Sequence, residues 1–282
     1  MSHLKVACIQ MRTGVSPEEN RAVMDELVRQ AASQGARYVQ TPEMTGLLER
    51  GRERQIEKAR TEAEDMIFAA AGGLARELDI WLHVGSTAIA LDEDRLANRA
   101  GMFSPAGDLV ATYDKIHMFD VDLDNGESWR ESRTYRPGNA AKLLDTGEFR
   151  LGFSICYDLR FPHLYRELAK AGAQILACPA AFTRQTGKAH WHILLRSRAI
   201  ENGAWVIAAA QGGEHEDGRT TYGHSLVINP WGETVAELDH DEPGVLVAEI
   251  DLDEVKRARS KVPNLLNGQS FELVSSVAGQ KG

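Results

Sequence analysis

The sequence predicts an α/β protein with a two-layer sheet core, helices outside, and two internally related halves. Three observations carry this. Strand-like and helix-like segments alternate from residue 4 to residue 114, and the alternation starts again at residue 149. The stretch Ser104-Pro105-Ala106-Gly107-Asp108-Leu109-Val110-Ala111 is matched by Asn229-Pro230-Trp231-Gly232-Glu233-Thr234-Val235-Ala236. Both read Pro-x-Gly-acidic-x-Val-Ala, which implies β-α-β-α-β-β in each half. No linker composition divides them, so 1–270 reads as one domain and 271–282 as a tail.

The elements follow in order. Residues 4–11 form an apolar run that reads as a buried strand. Ser16, Pro17 and Glu19 then form a helix start, with Ser16 as N-cap, Pro17 at the first helical position and Glu19 closing a capping box. A short strand over 37–41 ends at Pro42. A long helix is expected over 55–78, weakened at Gly72-Gly73, because apolar residues recur there at helical spacing. Strands follow at 80–86, 98–104 and 109–114, and 115–148 reads as a long irregular loop beside a site. In the second half, strands are expected at 149–155, 174–178 and 204–210. Helices are expected at 162–171, begun by Pro162, and at 188–202, stopped by Gly203.

Composition narrows the function. The formal net charge of −9 argues against nucleic acid and anionic membrane surfaces, which select clustered Lys and Arg. No apolar run reaches the roughly 18 residues of a spanning helix. The start MSHLKVACIQ enters a strand without the basic and apolar stretches of a secretory leader. Cys8, Cys156 and Cys178 are an odd number without framework spacing, so free thiols in a reducing, cytoplasmic compartment are expected.

Three strand ends carry reactive side chains. Cys156 ends the FRLGFSI strand before a Pro-started helix, a corner where backbone N–H groups can hold an oxyanion and a helix N-terminus can lower a thiol pKa. Glu43 follows Thr41-Pro42, where partial desolvation would raise its pKa toward that of a neutral-pH base. Lys115 follows Tyr113-Asp114. Each has an ordinary alternative: a small buried hydrophobe, a surface carboxylate, a solvated lysine. Cys8 and Cys178 read as structural. Rival chemistries fit poorly. Arg160 is too close to Cys156 for a Cys-x5-Arg phosphatase loop. Gly-x-Ser-x-Gly, Gly-x-Gly-x-x-Gly, a phosphate-binding Walker loop and His-Glu-x-x-His are all missing. Neither metal nor cofactor is implied.

Taken together these residues resemble the carbon–nitrogen hydrolase (nitrilase) superfamily over residues 4 to about 262. The similarity rests on Tyr38-Val39-Gln40-Thr41-Pro42-Glu43, Tyr113-Asp114-Lys115-Ile116-His117 and Cys156-Tyr157-Asp158-Leu159-Arg160-Phe161-Pro162. It implies an α-β-β-α sandwich, extended across a homodimer, and a Glu43–Lys115–Cys156 triad. It also implies an oxyanion contact from the Tyr157 backbone N–H and a second glutamate, Glu131, beside the lysine. Cys-Tyr-Asp in place of Cys-Trp-Glu looks like an amidase rather than a true nitrilase. Ala181-Phe182-Thr183, Thr186-Gly187 and Ala189-His190-Trp191 look like the Nit branch.

That branch implies a small carboxylate-bearing amide as substrate, and the resemblance of Ala208-Ala209-Ala210-Gln211 and Tyr222-Gly223-His224-Ser225 to its peptide-cleaving members puts deaminated glutathione ahead of α-ketoglutaramate. Another amidase or N-carbamoyl hydrolase activity, or a non-catalytic binding module on the same fold, are the alternatives. Arg160 would clamp a substrate carboxylate or else pair with Asp158, with Phe182 and Thr186 along the acyl chain. Arg133, Arg184 and Lys188 are candidate cations for the leaving group, and the glycine-rich 211–215 is expected to leave it room. Two departures from the family pattern stand out. His192 replaces a Glu, and Asn264–Leu273 lacks a basic stretch.

Overall fold

A computed structural model describes residues 2–122, 126 and 128–275. The first half runs β1 (His3–Gln10), α1 (Pro17–Ser33), β2 (Tyr38–Gln40), α2 (Arg52–Lys58), α3 (Met66–Leu78), β3 (Trp81–Ala90), β4 (Leu96–Phe103) and β5 (Leu109–Asp114). A short hairpin of β6 (Asp120–Asp122) and β7 (Ser128–Arg130) leads toward the second half. That half contains β8 (Leu143–Asp145), β9 (Arg150–Gly152), α4 (Pro162–Lys170), β10 (Ile175–Ala177), α5 (Arg184–Asn202) and β11 (Trp205–Ala208). The hairpin β12 (Gly212–Glu214) and β13 (Thr220–Tyr222) comes next, then β14 (Leu226–Ile228), β15 (Thr234–Glu237), β16 (Gly244–Asp251) and α6 (Asp253–Lys261).

Two six-stranded sheets result, ordered β16-β1-β2-β3-β4-β5 and β15-β14-β11-β10-β9-β8. In both, three parallel strands are followed by two antiparallel ones, and an antiparallel strand borders the first. The internal repeat is therefore real. Met102 pairs with Ala111 and Val227 pairs with Ala236, the same offset in both hairpins.

The layering follows from a period of two along buried strands. Leu4, Val6 and Cys8 of β1 join the core between the sheets, with Leu151, Phe153 and Val206. Ala7 and Ile9 face the other way, onto Met24 and Val28 of α1 and Phe68 and Leu74 of α3. A strand buried on both faces reads as a continuous apolar run. Each fully buried Val, Ile, Leu, Phe or Met side chain among them contributes about 1.5–3 kcal/mol.

Several expectations need correction. The single helix over 55–78 is two, α2 and α3. Asp65 makes the break by capping α3, its carboxylate accepting from Ile67 and Phe68 N–H at 3.0 and 2.9 Å. Ala59 is extended, and Arg60 bridges to Ile89. Helix α5 starts at Arg184 because Thr183 caps it. At α1, Ser16 Oγ accepts from Glu19 N–H. The region 115–148 holds the β6–β7 hairpin and β8, and the β12–β13 hairpin was not foreseen. Of the expected tail, residues 271–275 are exposed without regular structure, and 276–282 lie outside the described residues. No described helix is long and apolar enough to cross a membrane.

Candidate active site

Three strand ends meet between the sheets. Glu43 follows β2 on a loop held by Met44 N–H donating to Ser86 Oγ at 2.9 Å. Met44 itself sits at φ 57°. Lys115 follows β5, its N–H donating to the Asn98 carbonyl at 3.0 Å. Cys156 opens a five-residue 3₁₀ turn, Cys156–Arg160, at φ 50°. Left-handed backbone costs a non-glycine residue roughly 1–2 kcal/mol. The turn is over-determined: Cys156 N–H donates to Pro179 O at 2.9 Å, and Ile155 N–H donates to Asp158 Oδ2 at 2.9 Å.

Asp158 also ties the lysine segment to the cysteine turn. Its fully buried carboxylate accepts from Tyr113 Oη at 2.7 Å and from His117 N–H at 3.1 Å, and it meets His117 Nδ1 at 2.6 Å. Tyr113 and His117 flank Lys115, so one carboxylate registers both strand ends. Gly85 is the other point of contact. A Cβ there would lie 2.1 Å from Thr41 O and 2.5 Å from Pro179 Cβ, between the glutamate loop and the loop after β10 whose Pro179 O holds Cys156 N–H.

The buried charges are paired side chain to side chain. Lys115 Nζ, 2% exposed, donates to Glu43 Oε1 at 2.8 Å and to Glu131 Oε2 and Oε1 at 2.9 and 3.1 Å. Asn98 Nδ2 bridges the same two carboxylates at 2.8 and 3.0 Å. Ala181 N–H donates to Glu43 Oε2 at 2.9 Å, and Phe119 N–H to Glu131 Oε2 at 2.7 Å. The Cys156 thiol lies against the Glu43 carboxylate. Burial opposes the Lys115 charge, but Glu131 and Glu43 outweigh it and raise its pKa well above the usual range.

Two expected pKa directions are reversed. Burial alone pushes Glu43 up, yet Lys115, Cys156 and Asn98 hold it below the ordinary carboxylate value. Burial and then the Glu43 charge push the Cys156 thiol well up, against Lys115. For the thiol, charge balance adds to burial. Two carboxylates already face one ammonium, so a thiolate would be a second uncompensated negative charge. The 3₁₀ turn separates Cys156 from the start of α4 at Pro162, so no long helix end offsets this. Cys8 and Cys178 are fully buried, with burial pushing both thiols up to about 12.

The three side chains open on a cavity of about 520 Å³, within the range of small-molecule sites. Glu131, Tyr157, Arg160, Phe182 and Thr186 line it, as expected. Arg160 is not paired to Asp158; its Nη2 lies 3.3 Å from His190 Nδ1, and its plane sits 5.5 Å from the Phe182 ring. Arg133 lines the cavity, but Arg184 and Lys188 do not, and Arg184 is bonded to Asp241 at 2.6 Å. The 211–215 segment leaves no room there. It forms β12, a Cβ on Gly212 would sit 2.4 Å from Asp241 O, and Gln211 is buried with Nε2 on Glu43 O at 2.9 Å. His192 is outside the lining and meets Glu237 Oε1 at 2.6 Å. Among the described residues no cluster of three His, Cys, Asp or Glu could hold a metal.

Sequence reasoning missed Asn98, the tie through Asp158, and the arginines at 50, 52, 130 and 219 that share the wall. Asn98 had a signal: a strand-averse amide inside the apolar run Leu96–Phe103. The arginines had none, because they come from separated loops.

An α-β-β-α sandwich with a cysteine, a glutamate and a lysine converging at its strand ends defines a class, and the comparisons agree. The carbon–nitrogen hydrolase family model matches residues 5–260, and the chain belongs to that family of hydrolases acting on amide carbon–nitrogen bonds. It is similar to a deaminated glutathione amidase of Yersinia enterocolitica, 38% identical over 280 residues, covering 98% of this chain and 96% of that one. It is also similar to omega-amidase NIT2 of Homo sapiens, 34% identical, covering 93% and 94%. Among solved structures, the C. elegans NitFhit protein superposes at a TM-score of 0.88 with 35% identity. That match covers 95% of this chain and 66% of the longer NitFhit chain. Saccharomyces cerevisiae Nit3 superposes at 0.85 with 27% identity, covering 95% and 96%.

Proposed function

We propose that the chain hydrolyses a small carboxylate-bearing amide through a Cys156 thioester. The observation that carries this is the meeting of Glu43, Lys115 and Cys156 in one cavity with their charges already arranged. Glu43 takes the thiol proton as sulfur bonds to the amide carbon. Lys115 and the Tyr157 N–H face the oxyanion. Collapse breaks the C–N bond, and the Glu43 proton passes to the departing amine. Water, deprotonated by Glu43, then cleaves the thioester; the acid leaves and sulfur recovers its proton. Glu131 holds Lys115 charged and in place. The neutral resting thiol fits this order, because the proton moves only when a carbonyl is present to take up the sulfur electrons.

Relatives named for deaminated glutathione and an arginine-lined wall support deaminated glutathione over α-ketoglutaramate as substrate. Both share the acyl half, whose carboxylate Arg160 would bind, with Phe182 and Thr186 beside the chain. The test is kcat/KM for each. Cleavage of neither overturns the activity. A ratio of about tenfold in favour of α-ketoglutaramate, roughly 1.4 kcal/mol, overturns the preference. A homodimer in a reducing, cytoplasmic compartment completes the reading. Ile193, Leu266, Phe271 and Leu273 are exposed in the single chain, surface a second copy would cover. Light scattering at the 31.1 kDa of one chain would contradict the dimer.

A further inference from the structure

We propose that Arg50 and Arg219, both stacked on Trp129, form a second carboxylate site that reads the terminal carboxylate of the departing amine half. The inference rests on the amidase reading above and adds what the enzyme recognises beyond the scissile bond. The cavity wall carries several arginines; Arg52 and Arg130 are paired with Asp94 and Asp122, and Arg133 also lines it. Arg160 marks one cationic pole. From it a row of rings leads away: Tyr157 at 5.8 Å from the guanidinium, Phe119 5.1 Å from Tyr157, and Trp129 6.3 Å from Phe119. At the far end Arg50 and Arg219 lie 4.6 and 4.8 Å from the Trp129 ring.

The two guanidiniums are held differently. Arg50 rests on the Trp129 ring. Arg219 Nε is bonded at 2.9 Å to Asp217, whose side chain is 1% exposed. Stacking occupies the guanidinium face and leaves the in-plane N–H fork for a bidentate carboxylate. Among the described residues Arg50 has no carboxylate within ion-pair distance. Arg219 already has Asp217 as a partner, so the unbalanced positive charge at Trp129 is that of Arg50. This happens in a chain whose net charge is −9, so the excess is local and not a general basic surface.

Geometry decides which carboxylate reaches each pole. A short amide that releases ammonia ends at the scissile bond and engages Arg160 alone. A leaving group of two residues extends roughly 7 Å further and carries its own carboxylate. The row of three rings runs between Arg160 and the Arg50–Arg219 pair.

The test uses binding and turnover together. In Cys156→Ala protein, calorimetry compares deaminated glutathione with the same molecule capped as its C-terminal carboxamide. The acid should bind about 10- to 100-fold more tightly, the range for charge-assisted hydrogen bonds. Adding Arg50→Gln should remove that advantage and leave carboxamide binding within twofold, and Arg50→Lys should restore part of it. In the Cys156-containing enzyme, Arg50→Gln should lower kcat/KM for deaminated glutathione by a similar factor and leave α-ketoglutaramate unchanged. Equal affinity for acid and carboxamide overturns the site. So does a loss in Arg50→Gln that is the same for every ligand, because that marks a structural role. Acid-selective binding without turnover of either amide leaves the carboxylate site standing and overturns the amidase reading instead.

Discussion

The two halves of the molecule share a backbone and divide the chemistry. Register aligns them: Tyr38 pairs with Val6 and Trp81, as Ile175 pairs with Leu151 and Trp205. Trp81 and Trp205 therefore occupy one position, both buried. Counting outward, Pro42 matches Pro179, Glu43 matches Ala180, and Met11 matches Cys156. At the Glu43 and Cys156 positions the other half places an apolar residue, Ala180 and Met11. The cavity forms only where both sets of strand ends meet. Buried glutamines join them there: Gln40 Oε1 accepts from Ala209 N–H at 2.9 Å, and Gln10 Oε1 from Ser225 N–H at 2.9 Å. A duplicated scaffold fixes where side chains point; the residue at each point decides what is done there.

The sharpest way to break this comparison is to truncate both members of the Met11–Cys156 pair. Cys156→Ala should lower turnover more than about 10³-fold, since the covalent step is gone, and leave the unfolding midpoint nearly unchanged. Met11→Ala should do the reverse, costing about 2–5 kcal/mol of stability with turnover kept within a few-fold. A folded Cys156→Ala enzyme with a hundredth of the parental rate, roughly, would end the covalent proposal.

Glu43→Gln is next, with an expected loss of about 10²–10⁴ in kcat and little change in KM. It also tests the charge balance. The Glu43 anion raises the Cys156 thiol pKa, so removing it should move the thiolate absorbance titration to lower pH. A titration that stays put or rises would show that Glu43 does not set the thiol.

Gly85 and Ala209 occupy one register position, four residues beyond Trp81 and Trp205. Gly85→Ala should cost about 1–3 kcal/mol and also lower kcat, because its methyl wedges Thr41 and Pro179 apart. Ala209→Gly should cost only about 0.5–1 kcal/mol through chain entropy and leave kcat alone. Equal kinetic effects would mean that Gly85 is not the contact between the loops.

The smallest effect belongs to His192→Glu. It places a carboxylate against Glu237 and should cost up to about 1 kcal/mol, read as a lower unfolding midpoint, with kcat unchanged. A kinetic change larger than a few-fold would place residue 192 in the site after all.

Much of this was legible in order along the chain. The Ser16 cap, the stops at Pro42 and Gly203, and the Pro-x-Gly hairpins are local, so their residues announce them. The break at Asp65 was hidden because helical periodicity continues through it, while the cap competes locally for Ile67 and Phe68 N–H. The pKa directions were misread for a different reason. Each group was weighed by its local position alone, whereas burial and then Glu43 set the Cys156 thiol, and Lys115, Cys156 and Asn98, distant in the chain, set Glu43.

By itself the sequence determined the α/β class, the repeat, the family, and the positions of Glu43, Lys115, Cys156 and Glu131, since each rests on local pattern or on a short motif. Only the tertiary structure decided that Lys115 faces two carboxylates, that Asn98 and Asp158 hold the strand ends in register, and that Arg50 and Arg219 share Trp129. These are contacts between residues far apart in the chain. Coulomb energy and hydrogen bonding depend on distance in space, and distance along the sequence does not supply it.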